Sequence, residues 1–163
     1  MVSIRQFIKS DWPEVSEIYK QGLKTKMATF ETAVPTWEEW NQKFIDSCRL
    51  VAHINDTILG FAALSLVSSR KVYRGVAEVT LYVAEEFRGQ GIGKKLLNAL
   101  IEESEANGFW TLHAGIFSEN IASIELHKKC GFRVVGIKEK IGQLDGEWHD
   151  NHFLERRSKR VGN

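Results

Sequence analysis

The spacing of apolar residues switches along the chain between a period of two and a period near 3.6, which predicts alternating strands and helices. The predicted strands are Ser3 to Ile8, Leu50 to Ile54, Thr57 to Leu66, Val76 to Val83, Thr111 to Phe117 and two strands between Phe132 and Arg157. The predicted helices follow Asp11 and Thr36 and extend from Ile92 to Asn107 and from Ile121 to Lys129. The resulting order is β-α-α-β-β-β-α-β-α-β-β.

Polar residues at fixed offsets indicate where the helices begin. Asp11 is followed three residues later by Glu14, and Thr36 by Glu39, so each pair resembles a capping box. The apolar faces that follow are Val15, Ile18 and Tyr19 in the first helix, Trp37, Trp40 and Phe44 in the second, and Ile92, Leu96, Leu97, Leu100 and Ile101 in the third. These stripes are more typical of helix core than of a ligand cage.

A strand, a turn, a helix and a second strand follow one another in the middle of the chain, from Val76 to Phe117. Such a crossover joins parallel strands of one sheet. Hairpins are predicted around Asn55-Asp56 and near Asp145-Gly146. The class is therefore α/β or α+β, with a mixed central sheet flanked by helices. At 18.6 kDa, and without repeats or linkers, residues 1–163 are expected to form a single domain.

Composition argues against several classes of protein. The net charge is only +1, so no general attraction to nucleic acid or to an anionic membrane is expected. Cys48 and Cys130 lie far apart and the histidines lack ligand spacing, so neither a disulfide framework nor a metal site is predicted. No apolar run approaches ~20 residues, and the chain starts without a signal-like apolar core. We expect a cytoplasmic enzyme or binding module.

The segment VAEEFRGQGIGKK, residues 83–95, places three glycines at alternate positions between a strand and a helix. A helix N-terminus has four N–H groups without helical partners and a partial positive charge, and glycine lets an anion approach them. Lys94 and Lys95 oppose the helix dipole, which a bound anion would explain. The turn therefore predicts a phosphate site, with a flexible turn and solvated lysines as the alternative. The P-loop and Rossmann patterns both fail here, the second because position 94 is lysine.

Two motifs resemble those of the GNAT superfamily of N-acetyltransferases. Arg88-x-x-Gly91-x-Gly93 is similar to its [QR]-x-x-G-x-[GA] motif. Asn120, together with ASIELHKKCGF at residues 122–132, resembles its N-x-x-[AS]-I-x-L-Y-x-K-x-G-F signature. A helix and a strand separate the two motifs, as that fold requires. The resemblance implies the GNAT fold for nearly the whole chain.

Further segments resemble the phosphinothricin and methionine sulfoximine acetyltransferase branch. They are ATFET at 28–32, R-x-x-Y-R at 70–74, Glu78 before TLYV, His127 where the wider superfamily usually has tyrosine, and GEWHD at 146–150. The resemblance implies acetyl-CoA as cosubstrate, a small amino-acid acceptor and a homodimer. It implies cofactor contacts from Leu81, Tyr82, Val83, Arg88, Gly89, Gln90, Gly91, Ile92, Gly93, Lys94, Asn120 and Ser123.

Acetyl transfer to an amine needs a base near the amine and a proton for the departing thiolate. Glu78 shares one strand face with Thr80 and Tyr82, opposite an apolar face. It is either a solvated strand carboxylate or, as the resemblance implies, the base. His127 lies on the helix where the superfamily's tyrosine protonates the thiolate. The alternative is that His127 has no catalytic role and only donates a hydrogen bond to a backbone carbonyl.

Arg70 and Arg74 flank Tyr73 in the loop before the strand of Glu78. Arginine forks match carboxylate and phosphinate oxygens, so the pair suits an acceptor with an anionic or polar tetrahedral group. A solvated basic loop is the alternative. The resemblance adds Thr29, Phe30 and Glu31 as the opposite wall. We expect acetylation of the α-amine of phosphinothricin or methionine sulfoximine; the alternatives are another small amine, a protein N-terminus, or a non-catalytic CoA-binding module.

Overall fold

The computed structural model describes residues 1–163 as seven strands and four helices. The strands are β1 (Ser3–Gln6), β2 (Arg49–Ile54), β3 (Thr57–Leu66), β4 (Val76–Val83), β5 (Thr111–Phe117), β6 (Arg133–Leu144) and β7 (Glu147–Arg157). The helices are α1 (Trp12–Lys24), α2 (Trp37–Lys43), α3 (Ile92–Ala106) and α4 (Ile121–Lys129). The predicted order of elements is confirmed. No helix has both the length and the apolar character needed to cross a membrane.

All seven strands form one sheet in the order β1-β2-β3-β4-β5-β7-β6. β4 and β5 pair in parallel and α3 connects them, whereas every other neighbouring pair is antiparallel. The predicted mixed sheet is therefore confirmed. The β2–β3 hairpin turns at Asn55, which has a φ of 51°, and the β6–β7 hairpin turns at Asp145 and Gly146, which have φ values of 50° and 81°.

Apolar side chains cover both faces of the sheet. α3 contributes Leu96, Leu97 and Leu100 to the core on one face, where α4 also packs. α1 and α2 contribute Ile18 and Trp40 to the core on the other face. β3 lies between these layers and is buried over most of its length. Its nearly continuous apolar sequence is typical of a strand covered on both sides.

The two predicted capping boxes have different outcomes. At α2, Thr36 Oγ1 accepts the Glu39 N–H and the Glu39 carboxylate accepts the Thr36 N–H, so that box is confirmed. At α1, Asp11 makes no side-chain cap. Its carboxylate instead accepts Arg5 at 2.8 Å and the Ile8 N–H at 2.9 Å, and the Glu14 carboxylate accepts the Ile58 N–H of β3 at 3.1 Å. The first box is wrong because Arg5 and Ile8 bind the Asp11 carboxylate and Ile58 binds the Glu14 carboxylate.

Candidate active site

β4 and β5 separate soon after they begin. They pair only between Val76–Glu78 and Thr111–His113. Beyond these residues β4 stays paired with β3 as far as Val83, and β5 stays paired with β7 as far as Phe117. The two facing edges therefore diverge and leave a cleft. A cavity of about 1190 Å³ opens there, at the carboxyl ends of the parallel strands, where ligands bind in open α/β sheets.

The glycine turn forms one end of this cavity. Gly89 and Gly91 have φ values of 75° and 81°, which favour glycine, and a Cβ added to either would meet no atom within 4 Å. Gly93 differs, because a Cβ there would lie 3.0 Å from the Leu126 side chain of α4. Two of the three glycines therefore keep space open above the helix N-terminus, and the third allows α3 and α4 to pack closely.

The start of α3 has the properties of an anion site. Its first helical hydrogen bond runs from the Lys95 N–H to the Gly91 carbonyl at 3.2 Å, so the preceding N–H groups lack helical partners. Lys94 and Lys129 both line the cavity. Arg88 lines it too, with its Nε donating to the Val83 carbonyl at 3.2 Å. Open backbone, free N–H groups and these cations together fit a pyrophosphate.

Eleven of the residues predicted for the cofactor line the cavity: Leu81, Tyr82, Val83, Arg88, Gly89, Gly91, Ile92, Gly93, Lys94, Asn120 and Ser123. Gln90 does not, because its side chain folds back onto the Glu86 carbonyl at 3.2 Å. The backbone of β4 from Val79 onward has no strand on its β5 side. That free edge can pair with the amides of an extended ligand, as the resemblance implies for Leu81 to Val83.

α4 faces the glycine turn across the cavity. Asn120 caps this helix, its Oδ1 accepting the Ser123 N–H at 3.2 Å. His127 is only 5% exposed, and its Nδ1 donates to the Ser123 carbonyl oxygen at 2.7 Å. Nδ1 therefore carries the proton of the neutral ring, and Nε2 holds a free lone pair. Burial lowers the pKa of His127, so the ring is mainly neutral at pH 7.

Glu78 lies at the last paired position of β4 before the strands separate. Its side chain is exposed and lines the cavity together with Thr80 and Tyr82, which the alternation of β4 places on the same face. Ala77 and Leu81 point to the opposite face and pack in the core with α3. The carboxylate therefore lies at the floor of the cleft, where the amine of an acceptor can reach it.

The loop between α1 and α2 covers the acceptor side of the cavity, and Thr29, Phe30 and Glu31 all line it. The ring of Phe30 lies 4.5 Å from the ring of Phe117 at the end of β5. Close approach of the loop also depends on Gly142, because a Cβ there would come within 3.0 Å of Phe30. The loop is thus seated on β5 and on the β6–β7 hairpin.

Ion pairs and aromatic contacts hold the same loop in place. Lys26 pairs with Asp145 at the tip of the β6–β7 hairpin at 2.8 Å. The ring of His149 lies 4.9 Å from the ring of Phe117, and its Nδ1 is 2.9 Å from Glu119 Oε1. The GEWHD segment therefore supports the acceptor wall from outside.

The arginine loop lies outside the cavity wall. Arg70, Tyr73 and Arg74 are exposed and do not line the cavity. The Arg70 guanidinium lies 5.3 Å from the Tyr73 ring, and that of Arg74 lies 5.4 Å from the Trp110 ring. The structure thus brings together Glu78, His127 and the residues of the α1–α2 loop, and leaves the two arginines on the adjacent surface.

Several residues that line the cavity were not predicted from the sequence, among them Lys129, Tyr19 and Asn151. Tyr19 was expected only as helix core, yet it lines the cavity, with its ring 5.1 Å from that of Tyr82. Burial raises the pKa of both phenols, so both keep their hydroxyl protons. Asn151 of β7 also lines the cavity beside Gly115. The polar groups of Tyr19 and Asn151 could have marked them as candidates. Whether their helix or strand faces the cleft, however, is set by pairing and packing across the fold.

The fold and this site define a transferase that binds a CoA-type cofactor in a split sheet. The model of the acetyltransferase (GNAT) family matches residues 4–132. The chain therefore belongs to the GNAT family and is an N-acetyltransferase.

Similar proteins span nearly the whole chain. An L-methionine sulfoximine/L-methionine sulfone acetyltransferase of Pseudomonas aeruginosa is 31% identical over 94% of this chain and 92% of its own. A GNAT phosphinothricin acetyltransferase from Sinorhizobium meliloti, solved in complex with AcCoA, matches with a TM-score of 0.89 and 30% identity over 98% of this chain and 90% of its own. A ribosomal-protein-alanine N-acetyltransferase from Brucella melitensis matches with a TM-score of 0.87 and 30% identity, over 96% of this chain and 99% of its own.

Proposed function

We propose that this protein acetylates the α-amine of a small amino-acid analogue, with methionine sulfoximine or phosphinothricin as the leading acceptor. Acetyl-CoA is the acetyl donor. The observation that carries the proposal is the position of Glu78, which lies at the floor of the cleft and lines one cavity with both the glycine turn and the α1–α2 loop. The names of the similar proteins from Pseudomonas aeruginosa and Sinorhizobium meliloti support the choice of acceptor.

The donor half of the site is built from the glycine turn and the free edge of β4. The N–H groups at the start of α3, with Lys94 and Arg88, would bind the pyrophosphate. The backbone from Leu81 to Val83 would pair with the pantetheine amides, and a β4 N–H near Val83 would polarise the thioester carbonyl. Asn120 lies opposite and would contact the same arm.

In the acceptor half, Glu78 takes a proton from the ammonium group, and the neutral amine attacks the thioester carbonyl directly. Thr29, Phe30 and Glu31 wall the acceptor on the opposite side. Arg70 and Arg74 would hold an anionic or tetrahedral group of the acceptor where it projects beyond the cavity, since both guanidinium groups are exposed. Tyr73 lies against Arg70 and holds it by a cation–π contact.

His127 is proposed to assist departure of the thiolate. Because Nδ1 donates to the Ser123 carbonyl, the proton must be delivered from Nε2. Burial lowers the pKa of the ring, so Nε2 is unprotonated before the reaction. As the amide forms, the attacking nitrogen loses its second proton to Nε2, which passes that proton to the departing thiolate. The alternative, a histidine that only satisfies the Ser123 carbonyl, predicts no effect on the chemical step.

Replacing Glu78 with glutamine tests the proposal. Glutamine keeps the shape and cannot accept the ammonium proton, so we expect kcat with methionine sulfoximine to fall by ~10²–10⁴-fold at neutral pH. KM for acetyl-CoA should stay unchanged. Glu17→Gln, at an exposed position on α1, is the matched control. Wild-type kcat in Glu78→Gln would remove Glu78 from the reaction.

A second acceptor class, another small amine or a protein N-terminus, is favoured by the charges of the cavity wall. Away from the glycine turn, Glu31, Glu39 and Glu78 line it with one lysine, Lys43, whereas Arg70 and Arg74 do not line it. Carboxylates attract a cationic acceptor more strongly than an anionic one. A CoA-release assay with methionine sulfoximine, phosphinothricin, polyamines and alanine-initiated peptides would separate these classes. The highest kcat/KM is expected for the amino-acid analogues, and a preference for polyamines or peptides would contradict the proposal.

A further inference from the structure

A row of titratable side chains crosses four neighbouring strands at the base of the cleft. Glu78 of β4 is in register with His113 of β5, His113 with Glu155 of β7, and Glu155 with Arg133 of β6. Residues in register on adjacent strands project to the same face of a sheet, about 4.8 Å apart. The candidate base therefore has an imidazole as its immediate neighbour, with a second carboxylate on the other side of the ring.

The surroundings keep this imidazole neutral and leave it able to accept a proton. His113 is half-buried, and its ring packs edge-on against Phe153 of β7 at 4.8 Å. Burial lowers the pKa of His113; the carboxylates of Glu155 and Glu78 act to raise it, and Lys138 of β6 acts to lower it. Lys138 lies over the Phe153 ring at 4.7 Å. Glu155 also pairs with Arg133, which partly neutralises it.

We infer that His113 receives the proton that Glu78 removes from the acceptor and thereby restores the carboxylate of Glu78. This inference rests on the proposed function. The acceptor ammonium loses one proton, and Glu78 gains it and becomes a neutral carboxylic acid. The proton then moves to the free ring nitrogen of His113, which becomes an imidazolium between two carboxylates and afterwards releases the proton to water.

The chemistry of the two groups favours this direction of transfer. An imidazole is ordinarily a stronger base than a carboxylate, which favours transfer of the proton from the carboxylic acid to the ring. Glu78 and Glu155 stabilise the imidazolium by opposite charge from both sides. His113 does not line the cavity, so it does not touch the acceptor and acts only through Glu78. It is therefore a positioning residue, which keeps Glu78 in its charged form.

His113→Gln tests the inference, with His53→Gln on β2 as the matched control, because the hydrogen bond of the His53 ring goes to the nearby Asn55 carbonyl and not to the cleft. In steady-state assays with acetyl-CoA and methionine sulfoximine, where Glu78 must be restored in every turnover, kcat should fall at least about tenfold but less than the ~10²–10⁴-fold typical of losing a general base. KM for acetyl-CoA should not change. An unchanged rate in His113→Gln, while Glu78→Gln is inactive, would overturn the inference alone. An active Glu78→Gln enzyme would overturn the proposed base and the inference together.

The pH profile separates proton transfer from a merely structural role. The rate should fall on the acid side as His113 becomes protonated, and this limb should lie below the ordinary pKa of histidine because burial lowers it. Glu155→Gln removes a carboxylate that raises the pKa and should move the limb to lower pH. Lys138→Met removes a cation that lowers the pKa and should move the limb to higher pH. Limbs that stay in place would contradict the inference.

NMR on the enzyme without substrates tests whether Glu78 and His113 are electrostatically coupled. NMR titration of the five histidines should show that Glu78→Gln lowers the pKa of His113, because the Glu78 carboxylate raises it. The chemical shifts of the His53 ring should be the same in both proteins. An unchanged pKa for His113 would show that the two groups are not coupled and would overturn the inference.

Discussion

At the scale of single residues, similar side chains acquire different chemistry from their surroundings. His127 is buried in α4 with Nδ1 fixed on a backbone carbonyl, whereas His113 is half-buried between two carboxylates. Burial lowers the pKa of both rings. Only His127 lines the cavity beside the glycine turn. From the sequence, both are simply histidines on a helix or a strand. The structure places His127 in the cavity that also contains the glycine turn, and it places His113 next to Glu78 on the neighbouring strand.

His127→Asn tests the role of this ring in thiolate departure. Asparagine can still donate a hydrogen bond toward the Ser123 carbonyl, so folding should be largely preserved. Without Nε2, we expect kcat to fall about tenfold or more, while both KM values stay close to those of the wild type. Thermal unfolding serves as the control. A lower melting temperature with unchanged kcat would assign His127 a structural role only.

At the scale of elements, both ends of α3 use glycine at positive φ, for different purposes. Gly91 precedes the first turn with a φ of 81°, and Gly108 follows the last turn with a φ of 82°. Neither has an atom within 4 Å of an added Cβ. The backbone strain of a substitution should therefore be similar at the two ends. Only Gly91 lines the cavity.

Gly91→Ala and Gly108→Ala form a matched pair for the anion site. Each should destabilise the fold by about 1 kcal/mol through the left-handed backbone. Only Gly91→Ala places a methyl group where the pyrophosphate would approach, so we expect its Kd for CoA, measured by calorimetry, to rise about tenfold or more. Equal affinities in the two variants would contradict the pyrophosphate cradle.

At the scale of the whole molecule, β6 leaves one edge of the sheet open. It pairs with β7 on one side only, and it exposes Val134, Val135, Ile137 and Ile141. A long edge strand with exposed apolar residues is ordinarily covered or protected by charge. The exposed apolar residues of β6 are consistent with the homodimer expected from the resemblance, with a second copy of the chain as the partner.

Ile137→Lys tests that homodimer. Light scattering coupled to gel filtration should give twice 18.6 kDa for the wild type and 18.6 kDa for the variant, because a buried lysine would oppose association. Ile8→Lys is the control, since Ile8 is similarly exposed near the opposite edge of the sheet. A monomeric wild type would contradict the homodimer.

The sequence by itself determined the elements, the glycine turn and the family. These features depend on local signals: apolar periodicity, the Thr36–Glu39 box and residues at fixed spacing. The capping box at Asp11 and Glu14 failed because Arg5 and Ile58, from other elements, supply the partners.

Only the tertiary structure decided what surrounds the chemistry. The register that places His113 beside Glu78 is set by pairing between strands that α3 separates in the chain. Packing between distant segments likewise decides the contact between the Phe30 and Phe117 rings. It also decides that Arg70 and Arg74 are exposed. The alternation of His113 with the core residues Leu112 and Ala114 sets the face that His113 takes, but it does not set which residue of β4 lies beside it.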